Sequence, residues 1–286
     1  MIRPRHHSTT PLALALLAVA LCPAAAGTVA VKTGESIAFL GDSITQGGWE
    51  HPAGYVRLVI SGLEANGIKA TPIPAGISGH KSNDMLARVQ RDVIDKKPAW
   101  MTLSCGVNDV WHGANGVPLP QYQANITALV DQCQAAGIKV MILTATVIGE
   151  QDNPENAKLA GYNEFLRRLA AGKKCLLADL NADMWAGLKA AAAPGSVFTV
   201  DGVHMNPAGD CLMATGVLRT FGLGEAQLAK AREEWLKIPD AAQVQAQRAL
   251  TLGQFLKLHA AAERRQRPLQ KLLDEAFAAN IDGLAE

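Results

Sequence analysis

This sequence of 286 residues lacks an excess of basic charge, since 27 Lys and Arg stand against 26 Asp and Glu. Proteins that bind nucleic acids normally carry such an excess, clustered on one face. The sequence also lacks the G-x-G-x-x-G and Walker patterns whose backbone amides hold nucleotide phosphates. We therefore expect neither a nucleic-acid partner nor a nucleotide cofactor.

Cysteine is scarce, and the spacings typical of metal ligands are missing. The seven histidines form no H-E-x-x-H and the five cysteines form no C-x-x-C, so the sequence indicates neither a metal site nor a cofactor. One cysteine, Cys22, lies close to the N terminus. The other four fall within apolar strand and helix patterns, which favours buried free thiols, although disulfides stay open: Cys105, Cys133, Cys175 and Cys211.

A hydrophobic run stands near the N terminus. Arg3 and Arg5 precede the apolar stretch from residue 12 to residue 21, and Ala24-Ala25-Ala26 supplies an A-x-A cleavage site. This pattern predicts that residues 1–26 are a cleavable signal peptide. The run is too short to span a bilayer, and Leu21 is not the small residue that precedes a lipoprotein cysteine. We predict a freely exported protein, secreted or periplasmic, with no stable membrane anchor.

Short apolar runs then alternate with helical patterns. Five strands are predicted, and the alternation favours right-handed crossovers and a parallel sheet. Because proline cannot donate to a strand ladder, Pro72 and Pro74 indicate that the second strand lies at an edge. The expected fold is α/β, a flavodoxin-like three-layer sandwich whose central parallel sheet has the order 2-1-3-4-5. The predicted strands are 36–41, 68–75, 99–105, 138–145 and 175–180.

The character of the chain changes after residue 222. Residues 223–286 are rich in Ala, Leu, Glu, Gln, Lys and Arg and show no strand pattern, which predicts a helical C-terminal extension of two or three amphipathic helices. The extension could act as a lid or brace on the sheet domain. An oligomer contact through these helices is the alternative.

Four polar or glycine-rich segments contain residues that could form an active site together. Three of them, Gly41-Asp42-Ser43, 76–79 and 106–109, follow strands that should be neighbours, and 201–204 lies before the last helix of the domain. Carboxyl ends of neighbouring parallel strands meet at one edge of a sheet. A serine hydroxyl needs a base within hydrogen-bond reach, and that base needs a partner that selects its tautomer. The segments contain these residue types.

Each of these residues also has an ordinary structural explanation. Ser43 could be the N-cap of a helix. Asn108 and Asp109 could be turn residues, because both side chains bond their own backbone and tolerate left-handed conformations. Asp201 could close a loop, and His204 could make a satisfied polar contact. The four segments together, in this order, favour the catalytic interpretation.

In this order the segments resemble the motifs of the SGNH (GDSL-type) hydrolase superfamily, over roughly residues 36–221. The resemblance implies that Ser43 is a nucleophile, that His204 is its base and that Asp201 orients the base. It also implies an oxyanion hole made by the backbone N–H groups of Ser43 and Gly79 and by the side-chain amide of Asn108. Residues 27–222 would then be the hydrolase domain.

Four further residues lie beside these motifs in the sequence and are candidates for substrate binding: Trp49, His51, Trp111 and His112. Tryptophan faces suit a sugar ring or an aryl group, although ordinary packing or surface exposure explains each residue equally well. The resemblance implies a serine esterase, and we expect it to remove short acyl groups, above all acetyl, from carbohydrate. A lipid or aryl acyl esterase is the alternative, and a non-catalytic glycan-binding module is a third possibility.

Overall fold

The computed structural model of the chain describes residues 28–191, 197–241, 252–268, 271–272, 274–275 and 277. The predicted signal peptide, residues 1–26, lies outside these residues. The chain divides into two compact units, Met1–Ala242 and Gln243–Glu286. The first contains the sheet and the candidate site.

A five-stranded parallel sheet forms the centre of the first unit. Its order is β2-β1-β3-β4-β5, which confirms the predicted topology, and all neighbouring pairs are parallel. The two prolines lie in β2 at one edge, as predicted from the missing N–H groups. The strands are β1 (Ser36–Gly41), β2 (Thr71–Gly76), β3 (Trp100–Ser104), β4 (Lys139–Leu143) and β5 (Leu176–Ala178).

Helices flank the sheet in two packed groups, which completes the three-layer sandwich. One group contains α1 (Ser43–Glu50), α2 (Tyr55–Ala65), α7 (Leu180–Ala190), α8 (Pro207–Thr220) and α9 (Glu225–Trp235). The other contains α3 (Ser82–Asp92), α4 (Val107–Trp111), α5 (Leu119–Ala135) and α6 (Pro154–Lys173). Short 3₁₀ helices span Ile94–Lys96 and Gly113–Asn115.

The central strands are apolar runs because both of their faces are covered by helices. Phe39 and Leu40 in β1 and Met141 and Ile142 in β4 are completely buried. This burial makes the sheet a rigid base for the loops at its carboxyl edge. The four cysteines of the domain, two of them buried, are free thiols.

The first helix after residue 222 packs against α2. Leu228 and Ala231 of α9 are buried, and the Trp235 Nε1–H donates to the Leu58 carbonyl at 3.0 Å. The second unit contains α10 (Leu252–Arg265), in which Leu252 and Leu256 are exposed. In the described part of the chain, no helix combines the length and apolar character needed to cross a membrane.

Candidate active site

Ser43 lies where β1 turns directly into α1. Asp42 is the N-cap of this helix, and its carboxylate accepts the Ile44 N–H at 3.0 Å. A Cβ at Gly41 would lie 2.0 Å from Thr45 Oγ1, so only glycine allows the helix to follow the strand so closely. Ser43 is therefore the first residue of α1 rather than its cap, and its side chain stands at the carboxyl edge of the sheet.

A chain of hydrogen bonds joins the three residues that the motifs single out. Ser43 Oγ lies 2.9 Å from His204 Nε2, and His204 Nδ1 lies 2.7 Å from Asp201 Oδ2. Because an ionised carboxylate can only accept, Nδ1 carries the ring proton, and Nε2 is left to accept the serine O–H. This arrangement can move a proton from the serine oxygen to the imidazole.

The segment that carries Asp201 and His204 holds its own carboxylate in place. Asp201 Oδ1 accepts the N–H groups of Val203 at 2.9 Å and His204 at 2.8 Å. Partial burial raises the pKa of Asp201, but the hydrogen bonds from the His204 ring and these N–H groups outweigh it and keep the pKa below its usual value. The Asp201 side chain is 48% exposed and the His204 side chain 36%, so both stay accessible at the edge of the molecule.

Asn108 and Gly79 lie in the two neighbouring turns. Asn108 is 4% exposed, in the first turn of α4, and its amide donates to the His80 carbonyl at 3.1 Å. Gly79 has φ +75°, and a Cβ placed on it would meet no atom within 4 Å, so this backbone borders open space. Among the described residues, the N–H groups of Ser43 and Gly79 donate no hydrogen bond. Both are available to an external acceptor.

Two buried carboxylates lie behind the site. Asp109 is completely buried; it accepts the Ser82 N–H at 3.0 Å and the Cys105 S–H at 3.4 Å. Burial raises the pKa of Asp109, and burial also raises the pKa of Asp42 to about 6 against the opposing hydrogen bond from the Ile44 N–H. Asp109 ties the start of α3 to α4, and so fixes the position of Asn108.

Arg88 holds the turn that contains Gly79, although no sequence motif includes it. Its buried guanidinium donates to the carbonyls of Gly41 at 2.8 Å and Ala75 at 2.9 Å and to His80 Nδ1 at 3.1 Å. The carbonyl of the same histidine orients Asn108. The signal in the sequence is a charged residue three positions after Met85 on the apolar face of a predicted helix.

The candidate substrate-binding residues fall in two places. Trp111 is 46% exposed and meets the His204 ring edge-on, with ring centroids 6.4 Å apart, and His112 stands beside Trp111 at 6.1 Å. Trp49 instead lies under the Arg57 guanidinium and borders a small depression with Gln46 and Ile77, and the exposed His51 ends α1. The structure therefore brings Trp111 to the hydrogen-bonded chain, with the His112 ring in contact with Trp111, and leaves Trp49 and His51 farther along α1.

No group of three or more His, Cys, Asp or Glu side chains able to hold a metal ion occurs among the described residues. The site combines a hydroxyl paired with an imidazole, a carboxylate behind the imidazole, and free N–H donors nearby. Such a set supports attack of an oxygen nucleophile on a carbonyl carbon.

Comparisons with known proteins show which sequences and folds this chain is similar to. The model of the GDSL-like Lipase/Acylhydrolase family matches residues 39–210. An acetylxylan esterase from Geobacillus stearothermophilus is 29% identical over an alignment of 214 residues, and the match covers 67% of this chain and 96% of that protein. The solved structure of the acetyl xylan esterase AlAXEase superposes with a TM-score of 0.61 at 31% identity, covering 64% of this chain and 98% of that one. The structure of Axe2, an acetylxylan esterase from Geobacillus stearothermophilus, gives 0.63 at 27% identity, covering 68% and 97%.

Proposed function

The chain belongs to the GDSL-like Lipase/Acylhydrolase family and is a carboxylic ester hydrolase, and from this premise we propose that it is an exported serine esterase that removes acetyl groups from carbohydrate. The observation that carries the proposal is the hydrogen-bonded chain from Ser43 through His204 to Asp201. A serine is a weak nucleophile unless a base takes its proton, and here the base lies within 2.9 Å.

The reaction proceeds in two halves. Ser43 Oγ attacks the ester carbonyl carbon while His204 Nε2 takes the serine proton, and His204 then gives that proton to the departing alcohol. In the second half the same imidazole takes a proton from water, whose oxygen attacks the acyl carbon of the acetyl-enzyme; the bond to Ser43 Oγ then breaks, His204 returns the proton to Oγ, and acetic acid leaves and ionises to acetate. Asp201 keeps the ring in the required tautomer and stabilises the imidazolium that forms in each half.

Charge on the carbonyl oxygen must be stabilised in both halves. The N–H groups of Ser43 and Gly79 and the Asn108 amide are the donors, since both N–H groups lack a partner among the described residues. Preorganised donors of this kind stabilise the tetrahedral intermediate, and the loss of one costs about 10²–10³ in rate.

Two observations support acetylated carbohydrate as the substrate. The similar proteins reported above are acetylxylan esterases, and the match to this chain covers nearly their whole length. Trp111, half-exposed against His204, offers an aromatic face and edge on which a sugar ring can stack beside the reacting ester. A lipid or aryl acyl ester is the competing substrate class. The proposed export depends on the N-terminal pattern of residues 1–26.

The test begins with a fluorophosphonate, which modifies only an activated serine. We expect labelling of the wild type, mapped to Ser43 by peptide mass, and no labelling of Ser43→Ala. A wild-type chain that resists the probe and binds acetylated oligosaccharides without releasing acetate would instead be a glycan-binding module.

Acyl specificity is tested with one alcohol esterified by acetyl, butyryl and octanoyl groups. An acetyl esterase should lose kcat/KM steeply as the chain lengthens, because a short pocket cannot hold the extra methylenes. A rate that rises toward octanoyl would overturn the acetyl proposal in favour of a lipid ester. Release of acetate from acetylated xylo-oligosaccharides, compared with acetylated glycerol, then tests whether the alcohol side is a sugar.

A further inference from the structure

Glu150 lies on the loop between β4 and α6, far from the serine motif in the sequence, and its carboxylate takes four donors from one segment. Oε1 accepts the Phe198 N–H at 2.7 Å, the Thr199 N–H at 2.6 Å and the Thr199 hydroxyl at 2.7 Å. Oε2 accepts the Val197 N–H at 2.5 Å. Three consecutive backbone N–H groups therefore converge on a single side chain.

The segment held in this way leads directly into Asp201 and His204. It closes on itself, because the Val200 N–H donates to the His204 carbonyl at 2.9 Å and the Asn206 N–H donates to the Phe198 carbonyl at 2.9 Å. The Thr199 hydroxyl, which donates to Glu150, also accepts the Gly202 N–H at 3.1 Å. The contacts of Glu150 thus reach the turn between Asp201 and His204.

The residue before Glu150 makes a second contact with the same turn. The Gly149 N–H donates to the Gly202 carbonyl at 2.7 Å. The two backbones approach so closely that a Cβ on Gly202 would lie 3.3 Å from the Gly149 Cα. The loop after β4 therefore holds the 197–206 segment at both its start and its turn.

Burial alone does not fix this segment. Val200 is 66% exposed, and the Asp201 and His204 side chains are each more than a third exposed. Ser43, by contrast, is held by a buried strand and a capped helix. Within residues 197–206 only Thr199 and Val203 are buried, so the distance between His204 and Ser43 depends also on the polar contacts that hold this segment.

We infer that Glu150 is a positioning residue of the esterase. By anchoring residues 197–199, Glu150 sets the distance between His204 Nε2 and Ser43 Oγ. The inference rests on the proposed function, because it assigns Glu150 an effect that passes only through His204. A displacement of about 1 Å in a catalytic group can cost about 10² in rate. Glu150→Ala removes both acceptor oxygens, and with them all four hydrogen bonds, and should lower kcat about 100-fold while KM stays within threefold.

Glu150→Gln is the milder variant. Its amide oxygen can keep the three donors on Oε1, and only the Val197 N–H then faces an NH₂ group. Its kcat should fall about tenfold, between the wild type and Glu150→Ala, and it keeps the test valid if Glu150→Ala fails to fold. Glu155→Ala, an exposed acidic residue at the start of α6, is the matched control and should keep the wild-type kcat.

The deciding experiment is a double-mutant cycle on the full chain, with acetate release as the readout. If Glu150 acts through His204, Glu150→Gln will lower kcat in the wild type but leave the residual rate of His204→Ala unchanged within twofold. An equal fractional loss in both backgrounds overturns the inference, since the effect would then be general to the fold. A His204→Ala variant that keeps the wild-type rate would instead refute the proposed function itself.

Discussion

Asp201→Asn tests how the orientation of one carboxylate controls the chemistry. Asp201 Oδ1 is engaged by two backbone N–H groups, at 2.9 Å and 2.8 Å, while Oδ2 faces His204 Nδ1 at 2.7 Å. In an asparagine, the amide oxygen will keep the two backbone donors, so the NH₂ group will face the imidazole. An NH₂ group only donates, so Nδ1 must accept and the ring proton must move to Nε2. His204 then presents an N–H to Ser43 and cannot act as its base.

The size of the loss follows from these contacts. Turning the amide to restore the working tautomer gives up two hydrogen bonds of about 1 kcal/mol each, which leaves roughly one molecule in 30 in the competent form. The lost charge also removes a hydrogen bond to the imidazolium worth about 1.5–3 kcal/mol, a further factor of roughly 10–150. We expect kcat to fall about 10³-fold, below the roughly 10⁴ typical of triads with a buried aspartate, because water reaches this pair.

The assay is steady-state release of acetate from an alkyl acetate, whose alcohol needs a proton in order to leave. Asp152→Asn, an exposed residue on the β4–α6 loop, is the control for a changed charge and should not alter kcat. Nitrogen NMR of the His204 ring should show the proton moving from Nδ1 to Nε2 in Asp201→Asn. A variant that shows this shift and still turns over within threefold of the wild type would refute the role of His204 as base.

Asn108→Ala removes one donor and should lower kcat by about 10²–10³ with KM nearly unchanged; steady-state kinetics in which KM alone rises would contradict an oxyanion role. Asp210, whose carboxylate accepts the Tyr55 N–H at 2.8 Å, has its pKa raised by burial to about 7. The folded state therefore keeps this proton up to about pH 7, whereas the unfolded chain loses it near pH 4, so wild-type stability declines as pH rises through this window. Asp210→Asn should remove about 2–3 kcal/mol of that decline between pH 5 and pH 8 in urea unfolding, and parallel curves for both proteins would contradict the assignment. Arg88→Met removes the hydrogen bonds to the Gly41 and Ala75 carbonyls and to His80 Nδ1, together with the ion pair to Asp92; it should cost about 3 kcal/mol in thermal unfolding and lower kcat as well, and an unchanged Tm would refute this role of Arg88.

The sheet could be predicted because its signals are local. The apolar runs mark buried strands, and Pro72 and Pro74 are compatible only with an edge, which leaves the order observed. Four short motifs likewise predicted which residues meet, since the carboxyl ends of neighbouring strands lie together. Ser43 and Asn108 nevertheless lie in the first turns of helices rather than in loops, because Asp42 caps α1 and α4 starts directly after Gly106, which has φ +138°.

The residues that hold the site could not be predicted in this way. Glu150 stands in a polar loop without periodicity, and its partners lie 47 to 49 residues farther along the chain. Arg88 donates hydrogen bonds to backbone carbonyls of two different strands. Because every residue has a backbone carbonyl, the sequence does not show which ones a side chain will contact. Trp49 and Trp111 are both near motifs, yet only the second meets His204, because α1 carries the first away from the strand ends.

The exposure of the Asp201–His204 pair has a consequence for the length of substrate that can react. An active site at the bottom of a deep tunnel would admit only chain ends or small esters. In this protein the side chains of His204 and Asp201 are 36% and 48% exposed. Under the proposed function, an acetylated polysaccharide can lie across this exposed pair and present an acetyl group from the middle of its backbone. Deacetylation of this kind would proceed without first cutting the polymer into fragments.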